Sequence, residues 1–157
     1  MASVCTCLWY PSGAEEAARF YVDLLPESRI LKIHPLHGAG KQADPFLVEF
    51  QLKGQRYIAM NGGPHYHLSP AVSIQILAEG QGEIDRLWSA LSDGGTPLRC
   101  GWLTDRWGLS WQIVPTALPR LLAEGDAVAA RVLLTMQDMV KLDVAALEAA
   151  AREPALP

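Results

Sequence analysis

Hydrophobic and polar positions change period several times along this chain, and the changes mark its elements. Residues 3–9 alternate small and β-prone side chains and predict a strand, which Pro11-Ser12-Gly13 interrupts. Ser12 followed by Glu15 is a capping-box pattern. Ala14, Ala17, Ala18, Tyr21, Leu24 and Leu25 then recur at helical spacing until Pro26. Residues 28–33 read as a short strand, and 34–45 as a loop rich in Gly, His and Pro. Residues 46–52 and 56–61 predict a hairpin across Lys53-Gly54, stopped by Asn61-Gly62-Gly63-Pro64.

After a linker at 65–70 the order begins again. Residues 71–77 predict a strand and Glu79-Gly80-Gln81-Gly82 a turn. Ile84, Leu87, Trp88 and Leu91 mark an amphipathic helix ending before Gly94-Gly95. Residues 96–103 and 109–114 predict two further strands around an Asp105-Arg106-Trp107-Gly108 turn, and 100–115 holds three of the five tryptophans. An offset of 67 lays Thr6 on Ser73, Leu24 on Leu91 and Arg19-Phe20-Tyr21 on Arg86-Leu87-Trp88. Beyond Pro115 the sequence turns rich in Ala and Leu. It predicts a short helix at 118–123, a longer one from Asp126 to about Val140, and a third capped by Asp143. Their apolar stripes, among them Val132, Leu133, Met136 and Val140, must cover a sheet or pack across a dimer.

Length and charge narrow the function classes. At 157 residues the chain reads as one domain (residues 1–157), with pseudo-repeat modules at 3–62 and 71–115 and a helical extension at 117–153. A net charge of −4 without a Lys/Arg cluster gives no footprint for nucleic acid. No apolar run approaches the roughly 20 residues of a membrane span. Cys5, Cys7 and Cys100 are odd in number and form no CxxC, which fits free thiols in a cytoplasmic setting. A Cys5–Cys7 disulfide is disfavoured by strand geometry.

The stretches CLWY, EEAARFYVDLLPESRI, GQRYIAMNGGP and CGWLTDRWGLSWQIVP, with the tail AARVLLTMQDMVKLDVAALEAA, resemble the vicinal oxygen chelate superfamily. This superfamily includes glyoxalases, extradiol dioxygenases and bleomycin-resistance proteins. The chain is most similar to its PhnB-like subfamily, often labelled 3-demethylubiquinone-9 3-methyltransferase. The resemblance covers essentially the whole chain. It implies an α+β fold: two βαβββ modules forming a cup-shaped mixed sheet, followed by C-terminal helices. It also implies a homodimer with the ligand inside the cup.

Metal-using members of that superfamily take one ligand from each of four inward strand positions, which fall here on Thr6, Met60, Ser73 and Gln112. These are weak neutral donors for a divalent transition metal, so we expect no metal there and no cofactor. His34 and His37, and His65 and His67, sit in two loops. A loop metal site or proton-transfer pair is one reading, and solvated histidines, which we favour, the other. No sequence neighbour supplies a carboxylate to orient a ring. The methyltransferase label implies S-adenosylmethionine, but Pro11-Ser12-Gly13 has no second glycine to let the backbone approach that donor, and the element order is not a doubly wound sheet. Cys100 has only Arg99 nearby to activate it and reads as an inert thiol. Asp105 and Arg106 read as a surface pair.

Strand alternation then lines the cup with Thr6, Leu8, Met60, Ser73, Gln75, Ser110 and Gln112, with Trp102 at the rim and Val4 also inward. Such a lining, free of strong acids and bases, suits a small neutral organic ligand. Three readings stay open: a metal-free binding protein or an enzyme of unknown neutral substrate; an enzyme proper, whether methyltransferase or metal-dependent lyase, isomerase or dioxygenase; and a dimeric interaction module without a ligand.

Overall fold

The computed structural model describes residues 2–35 and 45–153. The chain divides into two compact units, one through Leu68 and the other from Ser69 onward.

In the first unit, β1 (Thr6–Tyr10) leads to α1 (Ala14–Leu24), β2 (Arg29–His34), β3 (Leu47–Leu52) and β4 (Gln55–Asn61). The strands form a four-stranded sheet in the order β1-β4-β3-β2. β1 runs parallel to β4 and the other pairs are antiparallel. Alternation gives the sheet one apolar face, and α1 covers it. Ala14, Ala17, Ala18, Tyr21 and Leu24 form the buried side of the helix. The alanines let the helix come close, and Tyr21 reaches in. Its hydroxyl lies 3.3 Å from that of Tyr10, and its ring 6.4 Å from Phe50, which stacks on Tyr57 at 5.3 Å. Burying each such ring is worth about 1.5–3 kcal/mol or more. The β3–β4 turn is Lys53-Gly54, with φ of 47° and 93°, as a two-residue hairpin loop with right-handed strand twist requires.

In the second unit, β5 (Ser73–Ala78) and α2 (Gly80–Ser92) precede β6 (Thr96–Pro97), β7 (Trp102–Thr104) and β8 (Ser110–Pro115). The sheet order, β5-β8-β7-β6, repeats the first, with β5 parallel to β8. Leu103, Trp111 and Ile113 are fully buried on one face, as are Ile84, Leu87 and Leu91 of α2. Three helices follow: α3 (Ala117–Leu122), α4 (Asp126–Gln137) and α5 (Val144–Arg152). Leu118, Leu121, Val132, Leu142 and Leu147 cluster with Val114 of β8, so the extension has its own small core. Leu134 (64 % exposed) and Val140 (48 %) lie outside it. Asp143 caps α5 through its carboxylate, which accepts from the Ala146 N–H at 2.9 Å.

The structure has the two four-stranded sheets and flanking helices of the α+β arrangement. Several boundaries differ from the sequence expectation. Residues 96–103 are not one strand: Cys100 (φ 59°) and Gly101 (φ 78°) reverse the chain, producing β6 and β7 and completing the second βαβββ order. α2 starts at Gly80, inside the expected turn. Ser12 does not cap α1. Gly13 (φ 76°) occupies the cap position, and the Ala14 N–H is met by Asn61 Oδ1 at 2.9 Å. A distant side chain thus does what the local motif was expected to do.

Candidate functional site

Each sheet has a face turned away from its helix, and these two open faces carry the polar chemistry. On the second sheet the register aligns Ser73 with Ser110 and Thr104, and Gln75 with Gln112 and Trp102. Gln75 Nε2 donates to Gln112 Oε1 at 3.3 Å, and Gln112 Nε2 donates to Ser73 Oγ at 2.8 Å. The chain of donors ends on a hydroxyl that retains its own proton to give. Ser110 is fully buried in the same row, and its Oγ has no hydrogen-bond partner. An unmet buried hydroxyl costs about 1–3 kcal/mol. No ionisable side chain stands in these two rows.

The β7–β8 turn fixes this face from behind. Asp105 is buried (4 % exposed), not a surface partner of Arg106 as expected. Its Oδ1 accepts from the N–H groups of Trp107 (2.9 Å) and Leu109 (3.0 Å), and its Oδ2 from Trp111 Nε1 at 2.8 Å. Three donors on one carboxylate lock both the turn and the indole. Arg106 turns instead to Asp93 at 2.6 Å.

The open face of the first sheet is different. Met60 lies beside Trp9, and Cys7 beside Ile58. Trp9 donates its Nε1 to the Gly63 carbonyl at 2.9 Å and meets Tyr66 edge-on at 5.1 Å. A Cβ at Gly62 would fall inside the Trp9 indole, so only glycine allows this packing. Glu49 stands on the same face. His34 Nε2 is 2.7 Å from its Oε1, and Arg56 reaches its Oε2 at 3.0 Å. The hydrogen bond with His34, then that with Arg56, hold the Glu49 carboxyl below its usual range, against an opposing desolvation. The carboxylate is therefore ionised and clamped from both sides.

These positions correct several sequence expectations. Thr6 and Leu8 do not lie on the open face. They share the parity of Tyr10, which meets Tyr21 of α1, and Leu8 is 3 % exposed. In their place the first strand turns Cys7 and Trp9 outward, with Cys5 in the same alternation. Val4, also read as inward, is 95 % exposed. Met60, Ser73, Gln75, Trp102 and Gln112 fall on faces away from the helices, the first on one sheet and the rest on the other, and Ser110 shares the parity of Gln112 but is fully buried. His34 is the last residue of β2 and has a carboxylate beside it, contrary to the loop reading. His65 and His67 are exposed. His37 lies outside the described residues. The His34–Glu49–Arg56 cluster was missed because Glu49 and Arg56 meet across a hairpin, and His34 joins only through a register shift between Ile30 and Lys32. Opposite charges flanking Lys53-Gly54 were the one readable hint.

The residues at the four superfamily ligand positions do not fit a divalent metal. Thr6 faces α1, Ser73 and Gln112 bond each other, and Met60 offers a thioether. Among the described residues no group of three or more His, Cys, Asp or Glu side chains gathers as a metal site. The fit to S-adenosylmethionine is equally poor. The turn after β1 leads directly into the Asn61-bound start of α1, and neither sheet is doubly wound. Among the described residues no helix is long and apolar enough to cross a membrane.

The comparisons with known proteins agree with this fold. The family model described as 3-demethylubiquinone-9 3-methyltransferase matches residues 2–114. A PhnB protein from Bacillus cereus is 27 % identical, with a TM-score of 0.66 over 73 % of this chain and 100 % of its own. Protein PA1353 from Pseudomonas aeruginosa, at 19 % identity and a TM-score of 0.60, covers 73 % of this chain and 98 % of its own and shares the fold. No curated protein matches. With a family model spanning most of its length and both βαβββ orders in place, the chain belongs to the family described as 3-demethylubiquinone-9 3-methyltransferase, the PhnB-like branch of the vicinal oxygen chelate superfamily.

Proposed function

We propose that this chain is a PhnB-like binding protein that holds a small neutral organic ligand against the open face of its second sheet, without a metal at the four superfamily positions. The observation that carries the reading is the Gln75–Gln112–Ser73 chain, with Trp102 in the same row. Amide and hydroxyl groups beside an indole suit a ligand with an apolar body and one or two hydrogen-bonding atoms. The Ser73 hydroxyl, which accepts from Gln112 and keeps its own proton to donate, offers a contact to one acceptor oxygen. In this reading Trp102 contributes apolar surface beside the amides, while Met60, Thr6 and Leu8 belong to the first sheet and take no part in holding the ligand. The protein would act as a homodimer in the cytoplasm, in keeping with three free cysteines and the exposed Leu134 and Val140.

The family description favours a second reading, methyl transfer. Native mass spectrometry separates the two. Protein purified without chelator or affinity-tag metal should carry less than stoichiometric zinc, nickel, manganese or iron, and should show no mass shift with S-adenosylmethionine. A retained neutral organic molecule lost in Gln112→Ala supports the binding reading. Tight, stoichiometric S-adenosylmethionine, or one of those metals, would overturn it.

A further inference from the structure

We propose that Cys5 and Cys7 together form a two-thiolate site for a soft two-coordinate cation, with copper(I) as the ion the chemistry favours. Both thiols are free and exposed and they are two residues apart, Cys7 within β1 on the side away from Tyr21 and Cys5 just before its first residue, Thr6. β1 is an edge strand of its sheet, and Cys7 stands opposite Ile58, so no charged cross-strand partner competes for the thiol. Side chains at i and i+2 of a strand start about 6.6 Å apart. With metal–thiolate bonds no longer than the ~2.3 Å of zinc, a linear S–M–S unit spans at most about 4.6 Å, which two rotating side chains can close. A disulfide needs Cβ atoms within about 4.5 Å and would bend the strand. The geometry therefore accommodates a bridging ion better than a sulfur–sulfur bond.

The donor count selects the ion. Zinc takes four ligands in its structural sites, and among the described residues no third His, Cys, Asp or Glu joins this pair. Met60 shares the face but pairs with Trp9, one alternation beyond Cys7 and two beyond Cys5, too far to complete a three-sulfur site. Thiolates select copper(I) among soft ions, and copper(I) accepts two of them. Binding is a ligand exchange without electron transfer: two S–H bonds break, two S–Cu bonds form, copper stays monovalent, and two protons go to solvent. The site does not depend on the neutral-ligand reading, since it uses no residue of the second sheet.

The test is anaerobic titration of the reduced full-length protein with copper(I) against a chromophoric competing chelator, with native mass spectrometry for stoichiometry. We expect one ion per chain and two protons released per ion. Cys5→Ser and Cys7→Ser should each weaken binding by more than the ~100-fold that loss of an outer-shell partner costs. Cys100→Ser and Met60→Leu should leave it unchanged. Both target thiols are exposed, and circular dichroism of each variant checks its fold. Binding as tight as the native chain's in the Cys5→Ser or Cys7→Ser variant, one ion per separate thiol, or zinc held as tightly as copper(I) would each overturn the proposal.

Discussion

The two sheets share strand order and strand polarity, yet their open faces carry opposite chemistry. On the first, Glu49 is an ionised carboxylate held between His34 and Arg56, and Cys7, Trp9 and Met60 stand on the β4 and β1 side of the same face. On the second, Ser73, Gln75, Ser110 and Gln112 are neutral and largely bonded to one another. The helix-facing sides, by contrast, are alike: aromatic and aliphatic groups at or near zero exposure, Phe50 and Tyr57 on one, Trp111 and Ile113 on the other. A repeated βαβββ unit is specified by the face that must be buried. The other face is free to take a different role in each copy.

The largest effects should follow from breaking what the sheets share. Phe50→Ala and Trp111→Ala should each cost about 3–5 kcal/mol, read as a fall in urea midpoint. Equal tolerance of these and of open-face alanines would erase the distinction between faces. Asp105→Ala removes one acceptor from three donors, two of them backbone, and should cost at least ~2 kcal/mol with a shift in tryptophan fluorescence. Gly62→Ala forces the Trp9 ring aside and should cost ~1–3 kcal/mol, changing the fluorescence of the first unit's face alone.

Smaller effects sharpen the contrast between the open faces. The folded Glu49 carboxyl titrates below its unfolded value, so its contribution is present above the ordinary glutamate range and is lost as pH falls through the folded value. Denaturant midpoints from pH 7 to pH 3 should therefore fall less steeply in Glu49→Gln than in the native chain. No comparable change should follow from Gln112→Ala on the neutral face. Smallest of all, Ser110→Ala deletes a hydroxyl without a partner, and stability should hold or rise by up to ~1 kcal/mol.

How much of this was legible depends on the strand. SWQIV alternates polar and apolar letters, so the faces of β8 could be read directly, and Gln112 with them. TCLWY does not alternate, because both sides of β1 carry apolar or sulfur-bearing groups. Carrying the offset of 67 across from β5 then placed Thr6 on the face of Ser73, one residue out, and exchanged the two sides of the strand. Tyr10, left beyond the expected strand end, held the correct answer through its contact with Tyr21. The reversal at Cys100-Gly101 was hidden because its first residue is a cysteine at positive φ, not a usual turn residue. Glu49 and His34 needed the register of two hairpins, information that no local window contains.

The most direct test of the neutral-face account is a two-dimensional amide and side-chain NMR titration with matched neutral, anionic and cationic small aromatic probes. We expect the neutral probes to bind best, with shifts gathered on Ser73, Gln75, Trp102 and Gln112 and diminished in Gln112→Ala. Preference for a charged probe, with shifts gathered on His34, Glu49 and Arg56, would contradict it.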